Sequence, residues 1–96
     1  NQIQIDGFTE EIMALEPYAD KWKAFGWGVA EIDGHNMEDI VSIFKRVPFG
    51  QDKPSMIIAH TVKGKGISFM ENDYKWHGVP PNKEQAQEAL KELRSL

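Results

Sequence analysis

At 96 residues the chain amounts to one domain or part of one, and a chain this short buries a smaller share of its surface than a large domain. Its 41% hydrophobic and 27% charged residues set it apart from a disordered tail, and eleven basic against fifteen acidic side chains leave a formal net charge of -4. The charges are interspersed without a basic block, which speaks against a nucleic-acid surface; the lack of cysteine excludes a disulfide framework or thiolate metal site, and no apolar run is long enough to span a bilayer, so a cytoplasmic location without membrane contact is the default expectation.

The opening Asn1-Gln2-Ile3-Gln4-Ile5 reads as extended chain entered in mid-course, with the expectation that something precedes it, and Asp6-Gly7 closes it as a turn. Thr9 is placed to cap a short helical turn through Leu15, with Glu10 and Glu11 at its positive end. Pro17 suits the first turn of a helix over Tyr18 to Phe25, and Gly26 suits its C-terminal cap. A strand is expected over Trp27 to Ile32, ended by Asp33-Gly34. Asn36 then caps a helix whose apolar residues Met37, Ile40, Val41, Phe44 and Val47 recur at helical spacing, and Pro48 stops it.

After a loop at Gly50 to Pro54, the segment Ser55 to Val62 holds the continuous apolar run Met56-Ile57-Ile58-Ala59. Such a run suits a strand covered on both faces, and where cover is missing the exposed surface favours self-association. Strand, helix, strand makes a βαβ unit with a parallel pair. Lys63 to Pro81 is loop-like, with a turn of helix possible at Phe69 to Asn72, and a stretch this long is usually functional or disordered. Asn82 with Gln85 resembles a capping box for a last helix with the apolar stripe Ala86, Ala89, Leu90 and Leu93. Two or three parallel strands make a poor domain alone, so the expectation is an α/β fragment of a doubly wound parallel sheet, whose ligands bind beyond the carboxyl ends of the strands.

Two motifs are candidates for chemistry. Lys63-Gly64-Lys65-Gly66 follows a strand; glycines let backbone approach a ligand and lysines attract phosphate, although the order is not that of a P-loop and the residues alone favour a solvated basic turn. Trp76-His77-Gly78-Val79-Pro80-Pro81 holds a histidine in a rigid segment, equally readable as a proton-handling or phosphate-binding group and as a surface loop anchored by Trp76. His35 is accounted for by the turn and cap roles of Asp33 to Asn36, and His60 is expected to be partly buried and hydrogen-bonded. The three histidines fit no short metal motif.

Four segments in order resemble transketolases, particularly the N-terminal subunit of the split type: Asn1 to Gly7; Ala24-Phe25-Gly26-Trp27 leading to Ile32-Asp33-Gly34-His35; His60 to Asn72; and Trp76-His77-Gly78. The resemblance covers essentially the whole chain and implies the C-terminal part, over residues 1–96, of the domain that holds the diphosphate of thiamine diphosphate. It implies transfer of a two-carbon ketol unit between sugar phosphates, as in the pentose phosphate pathway. Asn1 resembles the closing Asn of the family's cofactor motif, which places its side chain and the Ile3 carbonyl on Mg²⁺ or Ca²⁺, hard cations that prefer oxygen. The charged ligand, the Asp of Gly-Asp-Gly, precedes Asn1 in the family. Ile5 aligns with a position against the thiazolium ring, where an apolar side chain keeps the dielectric low. Lys63 is placed near the cofactor, at a position where family members differ. His77 matches the histidine that faces both diphosphate and substrate and assists proton transfer at the donor's hydroxyl.

The resemblance also implies partners. The pyrimidine-binding domain, a separate chain in the split type, carries the activating Glu, and family sites lie at a dimer interface, so the parent is expected to be dimeric or heterotetrameric and these 96 residues inactive alone. The alternatives are a related thiamine enzyme, such as 1-deoxyxylulose-5-phosphate synthase or a ketoacid dehydrogenase component, and a non-catalytic or degenerate module of the same fold.

Overall fold

A computed structural model describes residues 1–96 and divides them into two compact units, one formed by Asn1–Ala14 with Val62–Leu96, the other by Leu15–Thr61. The second unit carries the βαβ element. Helix α2 (Tyr18–Ala24) precedes strand β3 (Gly28–Asp33), helix α3 (Met37–Arg46) and strand β4 (Ser55–His60). β3 and β4 pair in parallel from Gly28 opposite Ser55 to Asp33 opposite His60, as strand–helix–strand order demands. Ile43 of α3 is 3% exposed and is the buried centre of this unit.

Local chemistry sets the ends of these elements. The Asn36 side chain accepts from the N–H groups of Glu38 (2.9 Å) and Asp39 (3.2 Å), while Lys45 and Arg46 stand at the negative end of α3. Val47 is extended (φ -71°, ψ 135°) because Pro48 follows, so the helix stops one residue short of the expected end. Gly26, at φ +87°, follows α2 as the expected terminal glycine. The Gly34 N–H donates to the His60 carbonyl (2.8 Å), and a Cβ on Gly34 would stand 2.5 Å from Thr61 Cγ2, so this turn accepts no side chain.

Two expectations in this unit need correction. His60 is not partly buried: its side chain is 58% exposed and faces Glu31 at 3.8 Å, because it ends a strand that has a neighbour on one side only. Nor is the apolar run the main exposed surface. Met56, Ile57 and Ile58 are half-buried and only Ala59 is exposed, whereas Met37, Val41 and Phe44 lie open on one face of α3.

The first unit opens with a hairpin that the sequence reading did not anticipate. β1 (Ile3–Gln4) and β2 (Gly7–Phe8) pair antiparallel, so Ile5 and Asp6 form the turn and Gly7 belongs to the return strand. Helix α1 covers only Thr9–Ile12, and Phe8 rather than Thr9 holds its N-cap position. Thr9 instead binds back to the chain start: its N–H and hydroxyl reach the Gln2 carbonyl at 2.9 and 3.3 Å. Phe69 to Asn72 is a set of turns, followed by a 3-10 turn at Tyr74–Trp76. Helix α4 (Lys83–Ser95) starts from the capping box, with Asn82 and Gln85 exchanging bonds of 2.8 and 2.9 Å, and buries Ala89. Leu90 and Leu93 of the expected stripe remain 47% and 44% exposed. The parallel pair agrees with the α/β class expected; a pair of strands does not by itself amount to a doubly wound sheet. No helix is long and apolar enough to cross a membrane.

Candidate functional site

All five candidate residues, Asn1, Ile3, Ile5, Lys63 and His77, fall in the first unit, although the chain separates the first three from the last two by more than half its length. The edge of the Phe8 ring meets Tyr74 with centroids 6.2 Å apart, tying the hairpin to the turn that carries His77.

The hairpin presents oxygen. Asn1 Oδ1 accepts from the Ile3 N–H at 3.0 Å, which fixes the amide beside the Ile3 peptide. An amide oxygen has two lone pairs, so one remains for another partner. Ile5 sits at the tip of the hairpin and is 58% exposed, leaving an apolar surface open to contact.

The Lys63–Gly66 loop differs from an anion cradle. The N–H of Lys65 donates to the Val62 carbonyl (3.2 Å), that of Gly66 to Glu71 Oε1 (3.0 Å) and that of Ile67 to the Gly64 carbonyl (3.1 Å). Those donors close the loop on itself, so attraction for an anion rests on the lysine side chains. Gly64 has φ +72°, and a Cβ there would stand 2.5 Å from the Met70 carbonyl oxygen. Its glycine serves the loop's own packing.

His77 ends a heavily tied turn. Asp73 Oδ1 accepts from the Lys75 N–H (2.9 Å), the His77 N–H donates to the Tyr74 carbonyl (3.0 Å), and the Trp76 indole N–H donates to the Phe69 carbonyl (3.0 Å). The Phe69 and Trp76 rings lie 5.6 Å apart. Backbone and indole are fixed while the imidazole itself is exposed. Beside the turn lies an open depression of about 450 Å³ lined by Phe69, Asp73, Lys75, Trp76, Val79, Gln85 and Glu88, in which two carboxylates face a single ammonium group.

Residues 1–94 match the sequence model of the family described as transketolase, thiamine diphosphate binding domain. The chain belongs to the transketolase family. It is 48% identical over 93 residues to one of the apulose-4-phosphate transketolase subunits of Phocaeicola vulgatus, covering 97% of the chain and 33% of the relative. It is 50% identical over 93 residues to 6-deoxy-6-sulfo-D-fructose transketolase subunit SqwG of a Clostridium species, covering 97% and 34%. Human transketolase is 35% identical over 81 residues, 84% of the chain and 12% of that enzyme. The chain thus spans about a third of the length of the two bacterial relatives.

The residues meet the needs of a transketolase cofactor in part. Asn1 Oδ1 and the Ile3 carbonyl are neutral oxygen donors from one turn, of the kind a hard cation takes. No group of three or more His, Cys, Asp or Glu side chains is placed to hold a metal ion. His35 is not brought into this unit; its N–H bonds to Asp33 Oδ1 (2.8 Å) within the turn before α3.

The sequence reading missed Ser68 and Glu92. Glu92 Oε2 and Oε1 accept from the N–H and the hydroxyl of Ser68, both at 2.6 Å. These two bonds, the hydroxyl first, hold the Glu92 carboxyl below the usual carboxylate range. One signal was present: Glu92 lies three residues after Ala89, at the edge of the apolar stripe of α4.

Proposed function

We propose that this chain is the C-terminal part of the diphosphate-binding domain in the N-terminal subunit of a split-type transketolase. Its two parallel strands then belong to a larger doubly wound sheet. With a pyrimidine-binding partner subunit, in a dimeric or heterotetrameric enzyme, it transfers a two-carbon ketol unit between sugar phosphates. The observation that carries the reading is the gathering of the hairpin and the His77 turn into one unit of a transketolase-family chain. The names of two relatives, both transketolase subunits, support the split arrangement.

Thiamine diphosphate, when bound with a divalent cation, supplies the carbanion chemistry at the donor's carbonyl carbon. The chain's own residues bind and orient. Asn1 Oδ1 and the Ile3 carbonyl take the cation, Mg²⁺ or Ca²⁺, with a carboxylate supplied from sequence preceding Asn1. Lys63 contributes positive charge toward the diphosphate, and Ile5 offers apolar contact to the thiazolium ring. His77, with a fixed backbone and an exposed ring, holds or accepts a proton at the donor's hydroxyl.

The test uses the full-length subunit mixed with its partner, assayed for two-carbon transfer to ribose 5-phosphate with and without thiamine diphosphate and Mg²⁺. Xylulose 5-phosphate, apulose 4-phosphate and 6-deoxy-6-sulfofructose serve as donors. Cofactor-dependent transfer is expected, and His77→Ala is expected to lower turnover by about 10²–10⁴-fold with the fold intact. No transfer despite bound cofactor points instead to another thiamine enzyme; no transfer and no cofactor binding points to a non-catalytic module.

A further inference from the structure

Glu92 binds one residue through both of its oxygens, and that residue lies 24 positions earlier in the chain. Charge-assisted bonds of this length are among the stronger hydrogen bonds in proteins. What they secure is the segment that leads to His77. Ser68 is followed by Phe69, whose carbonyl accepts from the Trp76 indole, and Trp76 is followed by His77. Beyond His77 the chain re-enters α4 through its capping box, and α4 brings Glu92 back to Ser68. Two closures therefore share this turn: Trp76 onto Phe69, and Glu92 onto Ser68.

Packing reinforces the second closure. A Cβ on Gly66 would stand 3.2 Å from Leu93 Cδ2 and 3.6 Å from Leu96 Cδ1, so the last turns of α4 lie directly on the loop. Neighbouring Ala89 is 6% exposed. Leu93, 44% exposed, gives this contact some area but no direction, because apolar packing tolerates sliding. The two-point carboxylate grip supplies the direction, fixing where Ser68, and so Phe69, sits along α4.

We propose that Glu92 is a positioning residue for His77, acting through Ser68, Phe69 and Trp76 without touching substrate or cofactor. The inference rests on the proton-handling role of His77 in the proposed function. Glu92→Gln keeps the size and one carbonyl acceptor but removes the charge and the second acceptor, so Ser68 loses the two-point grip. Small misplacements of a reacting group lower rate steeply, about a hundred-fold for 1 Å.

Two measurements on the full-length subunit test this. In the cofactor-free subunit, Glu92→Gln is expected to speed hydrogen exchange at the Trp76 indole N–H at least ten-fold, leaving Trp22 and Trp27 unchanged. Unchanged exchange at Trp76 overturns the proposal. In the enzyme assembled with partner and cofactor, Glu92→Gln is expected to lower turnover about ten- to a hundred-fold, with little change in donor KM, and Glu92→Asp to recover part of it. In a His77→Ala background the same substitution is expected to have no further effect, since the group it positions is gone. Equal losses in both backgrounds mean a general structural role and overturn the inference while leaving the reading of His77 intact. A His77→Ala enzyme as active as wild type, or a wild type without transfer, overturns both.

Discussion

Replacing Gly64 by alanine separates two costs that the loop imposes on one residue. At φ +72° an L side chain strains the backbone by about 1–2 kcal/mol. The new Cβ also stands 2.5 Å from the Met70 oxygen and 2.7 Å from its carbonyl carbon, atoms of backbone that cannot rotate away. Moving Met70 disturbs the bonds it makes, from its N–H to the Ile67 carbonyl and from the Asp73 N–H to its own carbonyl. Overpacking of this kind costs about 1–3 kcal/mol, so Gly64→Ala is expected to lose about 2–5 kcal/mol in all. Gly78 provides the control, with φ +74° but nothing within 4 Å of its added Cβ. Gly78→Ala is expected to lose only the backbone part, about 1–2 kcal/mol. Urea unfolding followed on the Trp76 indole resonance reports on the unit that holds both glycines. Equal losses for the two variants would refute the contact argument, and a Gly64→Ala chain as stable as wild type would refute the backbone argument as well.

Asn82→Ala removes the side chain that starts α4 and is expected to cost about 1 kcal/mol, read from the same urea transition. An unchanged midpoint would mean that α4 is held by packing alone. Because the folded Glu92 carboxyl lies below its ordinary value, its contribution is complete above the ordinary carboxylate range and is lost as pH falls through the folded value. The amide shift of Ser68 is therefore expected to titrate with a midpoint lower than that of an exposed glutamate; a midpoint at the ordinary value contradicts the grip. Met37, Val41 and Phe44 share an exposed face of α3, with Phe44 66% exposed, so Phe44→Lys is expected to reduce self-association of the 96-residue chain at high concentration. Light scattering that finds the unaltered chain monomeric removes the basis for that expectation.

What could be read in the sequence was chemistry acting over a few residues. Asn36, the Asn82–Gln85 pair, Gly26 and the stop before Pro48 each act within about four residues, and each lies where its side-chain chemistry requires. The parallel pair was legible because the apolar run from Met56 and the strand before α3 permit little else. The hairpin was not. Ile3 and Ile5 alternate like one strand, and Asp6-Gly7 is a stronger turn signal than Ile5-Asp6. The choice is made by Thr9 reaching the Gln2 carbonyl across seven positions, a contact that no local pattern announces. The exposure of His60 escaped the reading for a related reason: burial at a strand end depends on neighbours that sequence spacing does not supply.

Asn1, Ile3 and Ile5 became legible only through resemblance, whereas the motifs that hold Lys63 and His77 stood out from the residues alone, and the structure changes the reason given for the first of them. For Lys63-Gly64-Lys65-Gly66 the functional reading is backbone opened by glycine toward a phosphate, beside the solvated basic turn that the residues alone favour. The N–H groups of Lys65, Gly66 and Ile67 are instead turned inward, and Gly64 is needed where the loop passes Met70. A loop that spends its donors on itself is rigid before any ligand arrives. That rigidity continues from Ser68 through Phe69 to Trp76, so the loop and the His77 turn behave as one preorganised piece, fixed to α4 by Glu92. The glycines then let the loop close tightly enough to hold the lysine and histidine side chains in place; under the proposed function it is those side chains, rather than the backbone, that would meet the ligand.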